Sequence, residues 1–141
     1  MNQRELILEA WEKHKATRAP SPHLRMAQEF FDYVESHRDI CWTELSEKFR
    51  EKYYEAFDEI IPVLMATDDP FIVHNLVRFA DLANPKEAEA AKKLVRTADP
   101  DRHEVTMVKL AGTDETLRSA IKKKSKLPDS VKAAIAAQEE K

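Results

Sequence analysis

Thr67-Asp68-Asp69-Pro70 is followed thirty residues later by Thr97-Ala98-Asp99-Pro100, and this pair of turns decides the fold. Each turn comes just after an apolar pair, Leu64-Met65 in the first case and Leu94-Val95 in the second. Downstream, His74-Asn75-Leu76-Val77-Arg78-Phe79-Ala80 lines up with Val105-Thr106-Met107-Val108-Lys109-Leu110-Ala111, one residue further on. Aspartate before proline is a helix start: the carboxylate accepts exposed backbone N–H groups, and proline fits the first helical position, where no N–H is needed. A fixed period of this size signals stacked helical hairpins, because one hairpin cannot bury its own apolar face.

The same punctuation divides the rest of the chain. A first helix is expected over about 3–17, with Leu6, Ile7, Ala10, Trp11 and His14 on one stripe, ended by Ala19-Pro20-Ser21-Pro22. Ser21 caps a second helix over about 22–37 that carries Leu24, Ala27, Phe30, Phe31 and Val34. A third runs over about 41–60 through Trp42, Leu45, Phe49, Tyr53, Ala56 and Ile60, and Pro62 either kinks it or opens a short new helix. A fourth starts at Pro70 with Val73, Leu76, Val77 and Ala80. A fifth follows the Asn84 cap with Ala88, Ala91, Leu94 and Val95. The sixth is placed behind Asp99, with Val105, Val108 and Ala111 inward and Gly112 ending it in the left-handed conformation. Thr113 starts a seventh with Leu117, Ala120 and Ile121, and Pro128-Asp129 opens a last one with Val131 and Ile135.

Composition agrees with an all-α chain. Among 141 residues there is a single glycine, whereas tight hairpins and bulges want several. The length suits one domain, and net charge is −3, too small to imply a partner. The charge is uneven. Arg102 to Lys126 holds seven basic and three acidic residues, while Glu44 to Asp69 is acidic. Cys41 is the sole cysteine, so no internal disulfide or thiolate cluster can form. Burial as a small apolar residue is its expected state. No run approaches the length of a membrane span and the start lacks an apolar signal core, so a cytoplasmic location is expected.

With the Asp-Pro turns, the helix ends Phe79-Ala80-Asp81 and Leu110-Ala111-Gly112, and the restarts Asn84-Pro85 and Thr113-Asp114 in view, the chain resembles the short bacterial, PBS-lyase-type HEAT-like repeat over roughly residues 50–125. The resemblance implies an α-α superhelix of stacked antiparallel hairpins with about seven or eight helices in one domain, 1–141. Residues 1–40 would cap the stack, 41–126 would form its units, and 127–141 a frayed terminal helix. The family's Val-Arg after the turn is replaced here by Ile72-Val73 and His103-Glu104, which puts inter-unit charge ladders in doubt and keeps an irregular helical bundle open as the alternative.

Chemistry-bearing clusters are sparse. His14, His23, His37, His74 and His103 show no helical metal-ligand spacing, Asp68-Asp69 reads as a cap, and no catalytic, cofactor or metal site is expected. Tyr54 falls off the main aromatic stripe and is a candidate surface anchor. In such stacks the second helix of each hairpin lines the concave face, so His74, Asn75, Arg78, Arg102, Thr106 and Lys109 are expected to project in rows that suit an acidic helix or peptide. Lys122, Lys123, Lys124 and Lys126 suggest contact with phosphate or an acidic partner, or a solvated helix end. The expected function is non-catalytic protein–protein binding or scaffolding. The alternatives are nucleic-acid binding through 102–126 and a specific inhibitor or immunity-type protein.

Overall fold

The computed structural model describes residues 2–39, 41–78 and 82–140, without the side chains of Trp42, Thr43, Ser46 and Arg78. All regular structure among these residues is helical, and the chain falls into two compact units, Met1–Phe79 and Ala80–Lys141.

In the first unit, α1 (Gln3–Ala16) and α2 (Pro22–Ser36) begin at side-chain caps: Asn2 accepts from the Glu5 N–H and Ser21 from the Leu24 N–H. Arg4 Nε donates to the Val34 carbonyl at 3.3 Å, satisfying part of the open end of α2. Trp11 donates its indole N–H to Gln28 across the same pair. α1 and α2 both pack on α4 (Phe57–Ala66), which leads through the Thr67–Asp69 turn to α5 (Pro70–Arg78). In that turn Asp68 takes a positive φ of 50°, and Asp69 Oδ1 accepts from the N–H groups of Phe71 and Ile72, as the Asp-Pro signal requires.

The expected third helix over 41–60 is two helices. α3 (Trp42–Lys52) stops at Tyr53, a 3-10 turn spans Tyr54–Ala56, and α4 starts again at Phe57. The break re-aims the chain while burying Tyr53, Ala56 and Phe57, all of which pack inward. It raises the count to nine α-helices among the described residues. Pro62 lies inside α4 at the cost of one helical hydrogen bond.

The first unit is built on rings. Trp11 stacks on Phe31 at 4.5 Å, Phe30 meets Tyr53 edge-on at 5.4 Å, and Phe49 stacks on Phe57 at 4.0 Å. Each such pair adds about 0.5–1.5 kcal/mol beyond burial. Trp42, assigned to this core from sequence, has its side chain outside the described residues. Cys41 is exposed rather than buried, because it stands at the N-cap of α3 instead of on its inward stripe.

The second unit contains α6 (Pro85–Thr97), α7 (Glu104–Thr113), α8 (Glu115–Lys122) and α9 (Asp129–Glu139). α7 packs against α8 and α9, and α6 against α8. Its core is aliphatic: Leu94, Val95, Met107, Leu110, Leu117, Ile121, Val131 and Ile135 are buried. Every Phe, Trp and Tyr of the chain lies at or before Phe79.

Four expectations change in this unit. Asp99 Oδ1 accepts from the Asp101 N–H, but residues 100–103 form a turn, so the sixth expected helix starts at Glu104 instead of Pro100. Gly112 is not a left-handed terminator: no glycine has positive φ, and α7 continues through it to Thr113. Asp114 caps α8 by accepting from the Leu117 N–H at 2.8 Å, while Thr113 donates its hydroxyl back to the Lys109 carbonyl. The inward face of α7 carries Thr106, Met107, Leu110 and Ala111, which leaves Val105 63% exposed. A glycine in that helix costs about 0.5–1 kcal/mol relative to alanine, and a Cβ on Gly112 would meet nothing within 4 Å.

Candidate functional site

The rotation of α7 redistributes the row of polar residues expected to project together. Thr106 is 1% exposed and Asn75 is 4% exposed, so neither reaches a partner. Asn75 turns inward and donates its amide to the Phe71 carbonyl at 2.9 Å. Thr106 Oγ1 finds no hydrogen-bond partner among the described residues. His74 is half-buried on α5, and the side chain of Arg78 lies outside the described residues. Arg102 and Lys109 are exposed as expected.

What α7 presents to solvent is a short strip two turns long. Val105 and Gly112 are seven residues apart on one helix face, with half-buried Val108 between them. Exposed Arg102 stands in the turn that precedes the helix, and Lys109 edges one side of the strip. Glu104 edges the other, where it accepts a hydrogen bond from Ser130 of α9.

The C-terminal lysines divide in the same way. Lys122 pairs with Glu139 of α9 at 2.5 Å, and Lys124 reaches the Arg96 carbonyl at 3.5 Å, closing the open end of α6. Lys123 and Lys126 are exposed. Half of the cluster is therefore engaged in holding helices of this unit.

The first unit holds a charged cluster that no spacing in the sequence reveals. Glu59 is buried on α4, with His14 Nε2 at 2.5 Å from one carboxylate oxygen and Arg18 at 2.7 Å from the other. Burial pushes its carboxyl upward, but the hydrogen bonds and charge of His14 and Arg18 outweigh that and hold it below its ordinary value. His14 also lines a groove of about 460 Å³ between α1 and α4, floored by Leu6, Ala10, Pro62 and Val63. The rim is electrically closed, because Glu9 pairs with Lys13 at 3.1 Å and Glu59 engages His14. The arrangement ties α1 and the segment after it to α4.

A second polar group joins α2 to α3. The Tyr33 hydroxyl donates to Glu44 at 2.7 Å, and this bond, helped by partial desolvation and the carboxylate charge, pushes its pKa up to about 12. Lys48 lies over the same ring at 4.5 Å, and His37 packs against it. Tyr54 is 45% exposed beside Phe57, in the position that its place off the stripe suggested. No cluster of three potential metal ligands occurs among the described residues, and no helix among them is long and apolar enough to cross a membrane.

No family model matches the chain, and neither a curated protein nor a solved structure matches it.

Proposed function

We propose that this chain is a non-catalytic protein-binding or scaffold module of HEAT-like helical hairpins, working in a reducing cytoplasm and meeting an acidic protein surface with its C-terminal unit. The observation that carries this is the division of charge between the two units. Residues 1–79 hold ten basic and fifteen acidic side chains, net −5, whereas 80–141 hold thirteen and eleven, net +2. An acidic segment is drawn to one part of the chain and repelled by the other, which favours a defined orientation on encounter. Exposed Arg102, Lys109, Lys123 and Lys126 supply the local positive field.

A nucleic-acid backbone would meet the same lysines together with the repulsion of the −5 unit, since its charge extends along its whole length. A local acidic patch on a protein avoids that repulsion. Affinity capture from a lysate, with and without nuclease, separates the two. A stoichiometric protein retained after nuclease is the expected outcome, and loss of all captured material would transfer the role to nucleic acid. Charge reversal of Lys109 together with Lys123 should weaken capture without loss of helicity.

A further inference from the structure

We infer that the outward face of α7 is the docking seat for an acidic amphipathic helix of a partner protein, which approaches most closely at Gly112. The inference rests on the protein-binding function proposed above and assigns its surface.

Three observations meet on this face. Val105 is left 63% exposed although the other side of the same helix is fully packed. Gly112, the only glycine in the chain, stands two helical turns further along the same line. Its backbone needs no positive φ, and its missing Cβ leaves open space, so neither conformation nor internal packing calls for glycine there. A side chain omitted on a helix surface lets another backbone come closer than a helix pair ordinarily allows. Val105 then supplies the apolar knob and Gly112 the notch, with Val108 between them.

Charge selects the occupant. Lys109 borders the strip on one edge and lies midway between Val105 and Gly112 along the axis. A helix seated on the strip therefore needs carboxylates along the edge facing Lys109. On the opposite edge Glu104 is engaged by Ser130, leaving little room there for a second acidic row. A second copy of the chain fits less well, because an antiparallel pairing of two α7 faces would set Lys109 against its own symmetry mate.

The test uses a fluorescein-labelled synthetic amphipathic helix with a Leu-Ala stripe flanked by Glu, and the same helix with Lys in place of Glu, titrated by anisotropy against the full chain. Saturable binding of the Glu peptide is expected, with the Lys peptide at least tenfold weaker. Val105→Glu and Gly112→Leu should each lower affinity for the Glu peptide at least tenfold with unchanged far-ultraviolet dichroism. Gly112→Ala keeps the fold safe: it should raise the melting temperature while lowering affinity. Equal binding of the two peptides, no binding of either, or unaffected binding by the Val105 and Gly112 variants would overturn the assignment. So would dimerisation of the wild type that Val105→Glu abolishes, since the seat would then belong to a second copy. If lysate capture yields the same nuclease-resistant protein with wild type and Val105→Glu, the module binds protein through another face; if neither captures protein, the function itself fails.

Discussion

Glu59 shows how much a single buried charge can ask of its surroundings. It follows exposed Asp58 in the first turn of a helix whose other residues are apolar, and its two carboxylate oxygens are taken by His14 and Arg18. Removing one member of a fully buried ion pair costs about 3–5 kcal/mol. Here Arg18 is half-exposed and can return to water, so Glu59→Gln should lower stability by about 1–3 kcal/mol at neutral pH. Urea unfolding checks this through a lower midpoint at an unchanged slope. The pH dependence follows from the direction of the shift. Because the folded state holds this carboxyl below its ordinary 4.5, its contribution is complete above that value and is lost as pH falls through the lower folded value. The gap between wild type and Glu59→Gln should therefore narrow as the medium is acidified below about pH 4. A gap that stays constant would show that packing, rather than charge, made the difference.

At the scale of elements, the caps decide where helices begin, and two neighbouring residues make a clean test. Asp114→Ala removes the acceptor for the Leu117 N–H and should cost about 1 kcal/mol, a large share for a helix of eight residues. Thr113→Ala removes only a hydroxyl that donates to the Lys109 carbonyl within α7, and should change stability by less than about 0.5 kcal/mol. Thermal melts of both variants read the difference, and equal losses would mean that the Asp114 cap is not what starts α8. Much of the element pattern was legible because local chemistry carries it. Ser21, Asp69 and Asn84 are short acceptors placed directly before proline, and all three cap as their sequence suggests. The break at Tyr53 was not legible, because Tyr53, Ala56, Phe57 and Ile60 keep helical spacing straight across it and neither glycine nor proline marks it. The face of α7 was misassigned for a related reason. Val105 with Val108 and Met107 with Leu110 offer two apolar stripes, and only contact with α8 and α9 chooses between them. Of the candidate site, the exposed Lys109 and Arg102 were visible in the charge pattern. The Glu59 cluster was not, since its members stand 41 and 45 residues apart in sequence.

For the molecule as a whole, the two units differ in kind as well as in charge. The N-terminal one is held by interlocking rings, and the C-terminal one by aliphatic side chains within 62 residues, a size at which burial leaves a narrow margin of stability. The placement of the rings has an optical consequence. With Trp11 and Trp42 both in the first unit and no tyrosine or phenylalanine after Phe79, the second unit is dark to intrinsic fluorescence and to near-ultraviolet dichroism. A melt followed by tryptophan emission reports on residues 1–79 alone, while peptide-bond dichroism sums both units. We expect the dichroism curve to begin falling at a lower temperature than the emission curve, as the aliphatic unit loses its helices unseen. Superimposable curves would mean that the two units unfold as one. A chain judged fully folded by its tryptophan signal could thus have lost the whole of its basic unit without a change in colour.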